Sequence, residues 1–512
     1  MITDNDYIFV DCVLHSEAVA KSVEGKLPSD VEQIVKSLVD KAWEQITRDA
    51  LIGTFADFNE ALLGKGSLAY GRLQKTSDAA AMITPEFVAA DLKKGVLPFT
   101  LKLQAKWFKD PRIGLQHLVQ VLCGDIFYRA AAELDARVEV KKVNLGNLRE
   151  IFLQQFRGKS AHDIKGIREL FSLNNARLLY AQKQADLPLL AFSFKPRNGL
   201  AIDEFKRISS GVLRAGFNIV EMDVRNVEFM DPDWRKAFVE VAKEAVNVTT
   251  HVARFSLNLS GPAHLVIPYA EEFKAAHGKV RPWVVKVDGG LDGLSTIQAM
   301  RTHFADDQPV ITCYPILGGP LQSQIGAGTF RDMLVLSGAD IIYPGGAPRI
   351  GDGDFVDRDR DERGVRHYKE FLAQGCAMPS IAGGVHAGQL PAYYEIFGPE
   401  VCYFLGGGVA LHLNGAFFDT HPVNNPGFAK ARRPQIGVPI KADQQVGGAE
   451  LCRFAVEVAG MTSDYEEQRK MLAFTREHYV KYVEGQAASK KYEFVNPKSI
   501  LNKTVRSFRE KG

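Results

Sequence analysis

Two short stretches in the second half of the chain decide the fold. They are Met378-Pro-Ser-Ile-Ala-Gly-Gly-Val-His386 and Val401-Cys-Tyr-Phe-Leu-Gly-Gly-Gly408. Each joins a short, mostly apolar run to a turn of consecutive glycines. Strands that end in such turns are typical of the carboxyl edge of a parallel sheet, where ligands bind. The two stretches therefore predict two strands of a parallel α/β sheet.

Six further apolar runs precede these two and extend the same pattern towards the N-terminus. Their starts lie roughly 20 to 40 residues apart, the separation that helical crossovers between parallel strands need. No Gly-x-Gly-x-x-Gly turn follows the first run, which argues against a doubly wound dinucleotide-binding sheet. Eight units of this kind predict a (β/α)8 barrel, with strands at 189–194, 218–223, 254–259, 283–287, 309–313, 340–343, 380–382 and 401–405.

The segments on either side of the barrel have a different character. Strand-like runs at 7–14, 52–58, 98–103 and 138–143 are interspersed with helical patterns at 31–47 and 114–132, which predicts an N-terminal α+β domain of ferredoxin-like type. The chain after residue 426 is loop-like and then helical from 448 to 485. We therefore expect an α+β domain at 1–150, a TIM barrel at 151–425 and a helical extension at 426–512.

Composition excludes several classes of protein. The 512 residues include 63 basic and 61 acidic side chains, so the chain lacks the strong positive field that carries binding to nucleic acid or anionic lipid. No apolar run is long enough to span a bilayer, and the first residues do not resemble a secretory signal. The six cysteines form no metal-ligand pattern. We expect a cytoplasmic protein without nucleic-acid or membrane partners.

The glycine turns predict a phosphate site. Backbone N–H groups at Gly383, Gly384, Gly407 and Gly408 can approach a phosphate closely because no side chain intervenes. Barrels often hold phosphate in the loops after strands seven and eight, which is where these glycines lie. The alternative is that the turns serve packing only. His386 flanks the first turn and is a candidate substrate contact or a loop-stabilising histidine.

The end of the first barrel strand supplies a candidate base. Lys195 and Arg197 follow the run that ends at residue 194. A lysine at a barrel mouth can act as a base if desolvation or nearby positive charge lowers its pKa. A surface lysine with an extended aliphatic stem is the alternative.

Two carboxylates at the end of the second strand form a candidate metal site. Glu221 and Asp223 are two residues apart, so both side chains face the barrel interior. Mg²⁺ would compensate their charge, and a salt bridge to Lys195 is the alternative. At the end of strand four, Asp288 is a candidate catalytic group, and Asn258, at the end of strand three, is a candidate substrate-binding group. The alternative for both is that they position neighbouring groups of the site.

At this point the motifs resemble those of the large chain of ribulose-bisphosphate carboxylase (RuBisCO) and its RuBisCO-like relatives. The segment 194–200 is similar to the family's Lys-Pro-Lys-x-Gly-Leu motif, and 378–386 to its Leu-Pro-Val-x-Ser-Gly-Gly-Ile-His segment. The segments 336–340 and 406–408 resemble Leu-Ser-Gly-Gly-Asp and Gly-Gly-Gly-Thr, and 53–55 resembles Gly-Thr-Trp. The order of these motifs fits over most of the chain.

The departures from the family pattern bear on activity. In the family, a lysine on strand two is carbamylated by CO2 and binds Mg²⁺ together with an aspartate and a glutamate. Glu221 stands at that lysine here, Asp223 is kept, and Val224 replaces the last ligand. The resemblance thus implies no lysine carbamate at this position and a weakened Mg²⁺ site.

Other catalytic positions of the family are also replaced. The strand-five His-Arg pair becomes Tyr314-Pro315, the catalytic-loop lysine becomes approximately Arg349, and an asparagine of the N-terminal domain becomes Asp125. The resemblance implies that one phosphate grip survives, whereas the groups that hold a second phosphate and CO2 do not. Carboxylation of ribulose bisphosphate is therefore not expected.

The resemblance implies enolisation chemistry on a small keto-sugar monophosphate. Lys195 would remove a proton beside a carbonyl, and Glu221, Asp223 and Mg²⁺ would stabilise the enediolate. Tautomerisation, isomerisation and C–C cleavage or decarboxylation remain open as outcomes, so the enzyme would be a lyase or isomerase. The family also implies a homodimer or an assembly of dimers, in which Thr54 and Asp125 complete the partner's site. The alternative is an inactive paralogue that binds a phosphorylated metabolite as a sensor or assembly component.

Overall fold

The computed structural model describes most of the barrel and parts of the flanking segments. The described ranges are 7–17, 95–104, 137–146, 163–314, 327–348, 362–406 and 442–461, with gaps at 180–182, 195–199, 223–230, 290–292, 345–346, 384, 386 and 388, and with a few isolated residues outside these ranges. The predicted elements at 31–47, 52–58 and most of 114–132 lie outside the described residues.

Short strands alternate with helices along the described chain. In order they are β1 (Tyr7–His15), β2 (Val96–Gln104), β3 (Arg137–Asn144), α1 (Ile164–Leu170), β4 (Ala176–Arg177), β5 (Gln184–Ala185), β6 (Leu189–Ser193), α2 (Ile202–Arg214), β7 (Ile219–Glu221), α3 (Pro232–Val246), β8 (Arg254–Asn258), α4 (Ala263–His277), β9 (Val284–Lys286), α5 (Gly293–His303), β10 (Val310–Cys313), α6 (Ala327–Ser337), β11 (Ile341–Ile342), α7 (Glu362–Gln374), β12 (Met378–Ala382), α8 (Leu390–Phe397), β13 (Cys402–Leu405) and α9 (Ala442–Met461).

The first of two compact units contains a small antiparallel sheet. It comprises residues 1–158, 289–302 and 315–338. β1 lies at the centre of the sheet and pairs with both β2 and β3. The pairing with β3 shifts between Asp11 and Cys12, where a bulge interrupts the register. β3 packs against α6, which belongs to the same unit. The predicted three-part domain division remains a prediction.

The second unit, residues 159–288, 303–314 and 339–512, contains a closed parallel barrel. Its eight strands follow one another from β6 to β13, and β13 pairs with β6 to close the ring. Each of the eight apolar runs in the sequence overlaps one barrel strand, so the predicted (β/α)8 barrel is confirmed. Closure leaves no exposed sheet edge.

Side chains alternate between the barrel interior and the helix-facing side. An apolar cluster fills the amino-terminal part of the interior, and α1 packs against it. Its strand members include Ala191, Ile219, Val284, Val310 and Met378. Because the side-chain period of a strand is two, the residues two positions further along each strand also face inward. Those residues are polar on several strands and lie nearer the carboxyl end.

Local sequence explains where individual helices begin and how closely they pack. Asp231 caps α3, because its carboxylate accepts hydrogen bonds from the backbone N–H groups of Asp233 and Trp234. Pro232 occupies the first helical position.

The last described helix, α9, packs against α2 and α8. A Cβ at Gly448 of α9 would lie 2.1 Å from the carbonyl oxygen of Val409, so only glycine permits this approach. No helix in the described ranges is both long and apolar enough to cross a membrane.

Candidate active site

A buried ion-paired cluster lies inside the barrel above the apolar base. Lys286, at the end of β9, is paired with Glu221, at the end of β7, over 3.0 Å between Nζ and Oε1. A second carboxylate, Asp288, has Oδ1 3.6 Å from the same ammonium. All three side chains are at most 5% exposed. Two carboxylates therefore share one ammonium in a part of the interior that is largely removed from water.

A strand register explains why these residues meet. Glu221 pairs with Ser256 of β8, Asn258 of β8 pairs with Lys286, and Lys286 in turn pairs with Thr312 of β10. These residues alternate with outward-facing apolar ones, so each strand contributes its polar side chain to the same interior region.

The remaining oxygen of Glu221 is also engaged. The hydroxyl of Thr312 donates to Oε2 of Glu221 over 2.6 Å. Oε1 accepts from Lys286, so both carboxylate oxygens have a partner. A charge-assisted bond of this length is among the stronger hydrogen bonds in proteins. Glu221 is thereby fixed as a charged, buried group.

A polar turn after β8 positions Asp288. The Asn258 amide donates to Oδ2 of Asp288 over 3.2 Å, while its Oδ1 accepts from the hydroxyl and the backbone N–H of Ser260. The Ser260 hydroxyl also approaches the backbone N–H of Asp288, which donates to it over 2.7 Å. These bonds hold Asp288 by both its backbone and its side chain, so the carboxylate has a fixed orientation in the folded chain.

Cys402 lies in the same interior but is not a nucleophile. Burial, and then the charge of Glu221, raise the pKa of its thiol well above the usual range, although a hydrogen bond with Ser380 acts in the other direction. The thiolate is the reactive form of cysteine. Cys402 therefore remains a protonated, space-filling residue.

Tyrosine hydroxyls fix the loops at the carboxyl rim. Tyr343, after β11, donates to the carbonyl of Ala382 at the end of β12 over 2.9 Å. Burial, with a smaller effect of Tyr314, raises the pKa of Tyr343 to about 12, so its hydroxyl keeps its proton. Gly383 follows directly with φ +99°, and a Cβ there would lie 3.3 Å from the Tyr343 hydroxyl. Glycine at this position therefore permits both the positive φ of the turn and the close approach of the Tyr343 hydroxyl.

The loop after β11 is anchored in two further places. Ala347 donates its backbone N–H to the carbonyl of Ala382, and the Tyr393 hydroxyl of α8 donates to the carbonyl of Pro348 over 2.8 Å. Arg349 follows Pro348 in the sequence and lies outside the described residues. The chain entering Arg349 is therefore held at the carboxyl end of β12.

Comparison with known proteins identifies this barrel. Residues 176–420 match the family model of the ribulose bisphosphate carboxylase large chain, catalytic domain. The barrel region is therefore similar to the catalytic domain of the RuBisCO large chain. A curated relative, the ribulose bisphosphate carboxylase large chain of Xanthobacter autotrophicus, is 27% identical over 250 residues, which are 44% of this chain. The match spans 50% of that relative's length.

Solved RuBisCO structures share the fold over nearly the whole chain. Octameric ribulose-1,5-bisphosphate carboxylase/oxygenase from Pyrococcus horikoshii OT3 matches with a TM-score of 0.58 at 17% identity, covering 96% of each chain. The dimeric archaeal Rubisco from Hyperthermus butylicus matches with a TM-score of 0.59 at 15% identity, covering 97% of this chain and 98% of the other. At these identities the likeness concerns the fold.

Of the predicted site residues, the structure brings together those on β7, β8 and β9. Glu221, Asn258 and Asp288 belong to one buried cluster, and Gly383 lies at the rim beside Tyr343. The other predicted site residues lie outside the described residues, and their roles stay predictions: Thr54, Asp125, Lys195, Arg197, Asp223, Arg349, Gly384, His386, Gly407 and Gly408.

Sequence reasoning missed the two side chains that hold Glu221. Lys286 and Thr312 each lie two residues beyond an apolar core residue, Val284 and Val310, so strand periodicity places both inside the barrel. A lysine inside an otherwise apolar strand is costly to bury without a partner, and that cost was the available signal. The partnership with Glu221 joins strands that are not adjacent, which spacing along the chain does not reveal.

The described side chains do not fit the magnesium ion that the family resemblance implies at Glu221. Mg²⁺ requires oxygen ligands at about 2.0–2.1 Å in near-octahedral geometry. Both oxygens of Glu221 are engaged, and the ammonium of Lys286 lies within contact distance of both carboxylates. Among the residues that the structure describes, no group of three or more His, Cys, Asp or Glu side chains is arranged to hold a metal.

Proposed function

We propose that this RuBisCO-family chain catalyses enolisation of a small keto-sugar monophosphate and does not fix CO2. The observation that carries the proposal is the state of Glu221, which is a buried carboxylate in an ion pair with Lys286. It stands where the family resemblance implies a carbamylated lysine. A carboxylate has no amine to react with CO2, so the activation step of a carboxylase has no counterpart at this position.

The phosphate of the substrate would bind at the ends of β12 and β13. These strands are adjacent and parallel, with Ser380 paired to Cys402, so the strand ends from which the glycine-rich segments continue in the sequence lie along the same rim. Gly383 has the positive φ that a tight turn of this kind uses. Backbone N–H groups of such turns bind anions without a side-chain charge.

Proton abstraction would occur beside the acidic cluster. β6 pairs with β7 so that Ser193 lies beside Glu221, and Lys195 follows two residues later, at the carboxyl end of β6. We assign Lys195 the role of the base that removes the proton next to the substrate carbonyl. The electron pair of the broken C–H bond forms the C=C bond, and the carbonyl oxygen takes the negative charge. Arg197 and Arg349 would supply positive charge near that oxygen.

Several reactions pass through such an enolate: isomerisation, tautomerisation, and C–C cleavage or decarboxylation of a β-keto acid. The proposal therefore covers a lyase or an isomerase.

The assembly we propose is a homodimer or a set of dimers, in which Thr54 and Asp125 contribute to the partner's site. The solved relatives include proteins described as dimeric and as octameric, which supports this arrangement.

Hydrogen exchange with solvent tests the proposal. The protein is incubated with a panel of ketose monophosphates in D2O, and deuterium at the carbon next to the carbonyl is followed by NMR. We expect incorporation by the wild-type protein and its loss in Lys195→Ala. Lys206→Ala is the matched control, because Lys206 is a surface lysine paired with Glu240 on the helix side of the barrel.

Two outcomes would count against this function. Equal exchange in Lys195→Ala and wild type would remove Lys195 from its assigned role. Binding of ketose phosphates without exchange across the whole panel would identify the chain as a phosphate-metabolite-binding paralogue instead of an enzyme.

A further inference from the structure

The acidic cluster at Glu221 and Asp288 contains a positive charge from the chain itself, the ammonium of Lys286. Lys286 is buried, with its Nζ 3.0 Å from one carboxylate and 3.6 Å from a second. Its ammonium also lies 5.8 Å from the ring centre of Phe404, at the distance of a cation–π contact. β13 carries Phe404 and ends at Leu405, just before Gly406 to Gly408. The ammonium therefore lies between the acidic cluster and the strand that leads into a glycine turn.

Electrostatics explains why an ammonium here excludes a divalent ion. Bringing a cation of charge two next to a buried ammonium is strongly unfavourable, since repulsion between charges at such distances is weakly screened in a protein interior. A metal would also have to share the oxygens of Glu221 with Thr312 and Lys286 or displace them. The ion pair thus competes directly with metal binding.

We propose that Lys286 is the resident cation of this site and replaces the divalent metal, so that the site functions without one. Lys286 is then a further catalytic residue, a role that rests on the enolisation proposed above. It donates an N–H to the carbonyl oxygen of the substrate as that oxygen gains negative charge. An ammonium has three N–H groups, so it can keep its ion pair with Glu221 while donating to a ligand. Asp288 and Glu221 hold the ammonium in place and keep it charged.

Binding of Mn²⁺, followed by electron paramagnetic resonance of the free ion, tests this assignment without any substrate. The wild-type protein is expected to leave the free Mn²⁺ signal unchanged. In Lys286→Met the ammonium is removed while the side-chain volume is nearly kept, so Glu221 and Asp288 lose their counter-charge. We expect this variant to bind Mn²⁺ at least roughly tenfold more tightly than wild type.

Lys206→Met is the matched control, because it removes a lysine from an exposed ion pair and should gain no Mn²⁺ site. The gain in Lys286→Met should disappear in the double variant Glu221→Gln/Lys286→Met. Stoichiometric Mn²⁺ binding by the wild-type protein that is lost in Glu221→Gln would overturn the proposal. That result does not depend on whether Lys286→Met folds.

A second measurement separates this inference from the proposed function. Deuterium incorporation is compared in Lys286→Met and wild type, each with excess EDTA. Wild-type exchange that persists in EDTA and falls at least roughly a hundredfold in Lys286→Met supports the role of Lys286. Exchange that requires Mg²⁺ in the wild-type protein overturns it while leaving the enolisation intact. Absence of any exchange, with the Mn²⁺ results as expected, removes the catalytic role and leaves the ammonium as the site's cation.

Discussion

Glu221 shows how one side chain sets the charge that its neighbours in the barrel must balance. A carboxylate at this position creates a buried negative charge, which Lys286 and Thr312 stabilise from β9 and β10. Burying such a pair gains little net stability, because the desolvation of both charges offsets their attraction. Breaking it is costly, because one charge then stays buried with less compensation. Net stability alone therefore does not account for the ion pair between Glu221 and Lys286.

We expect Glu221→Gln to lower the free energy of unfolding by about 3 kcal/mol, since it removes one partner of a buried ion pair and keeps the shape of the side chain. Urea denaturation followed by circular dichroism measures the change. Glu240→Gln is the control, because Glu240 pairs with Lys206 on the surface, and it should leave the urea midpoint unchanged within error. A Glu221→Gln protein as stable as wild type would show that the ion pair is not formed.

The sequence allowed part of this site to be predicted. Two-residue spacing indicated that Glu221 faces the barrel interior, where the structure places it. The ends of strands three and four drew attention to Asn258 and Asp288, which lie in the same cluster, and their roles towards a substrate stay predictions. Lys286 was overlooked, although it is the last residue of β9 and precedes Asp288 by only two residues. Its role depends on which carboxylates it reaches across the barrel, and that depends on register and closure, which are properties of the folded chain.

At the scale of secondary-structure elements, the strands were predictable because their apolar runs are short and regularly spaced. Predicted and observed strands agree closely, as for 254–259 against Arg254–Asn258 and 401–405 against Cys402–Leu405. Helix contacts were less predictable. The close approach of α9 to Val409 depends on a glycine inside a helix, and a helical glycine in sequence does not reveal what packs against it.

Gly448→Ala tests that contact. The added Cβ would lie 2.1 Å from a backbone oxygen, so α9 must shift, and we expect a loss of about 2 kcal/mol in unfolding free energy. Thermal and urea denaturation measure it. Gly328→Ala in α6 is the control, since the nearest atom to its Cβ would be a side-chain nitrogen of Arg331 at 3.6 Å. That variant should be as stable as wild type or slightly more so. Equal stability of both variants would contradict the observed packing.

At the scale of the whole molecule, two histidines make stability depend on pH: His277, which is buried, and His251, which is partly buried. Burial lowers the pKa of His251 to about 4, with a further effect of Arg453, and burial lowers that of His277 to about 4. Both are neutral in the folded chain, where each contacts a backbone carbonyl, of Phe217 and of Phe273. In the unfolded chain they take up protons near their ordinary pKa of about 6.5.

Protonation of the unfolded chain therefore sets the direction of the effect. Between about pH 6.5 and pH 4 the unfolded state binds more protons than the folded state, so stability falls as the pH is lowered through this range. Each histidine can lower the free energy of unfolding by up to about 3 kcal/mol over this pH range. Urea denaturation at pH 7, 6 and 5 measures the slope. The double variant His251→Gln/His277→Gln should have a shallower slope, and an unchanged slope would show that these histidines are not the cause.

The proposed reaction uses the barrel as a whole, because glycine turns, a base and an internal ammonium would all have to act on one substrate. The most direct test is NMR of the wild-type protein with ketose monophosphates in D2O, with EDTA in one sample and Mg²⁺ in the other. The account predicts deuterium at the carbon beside the carbonyl at equal rates in both samples. Exchange in the Mg²⁺ sample alone would contradict the claim that Lys286 replaces the metal, and exchange in neither sample would contradict the enolisation itself.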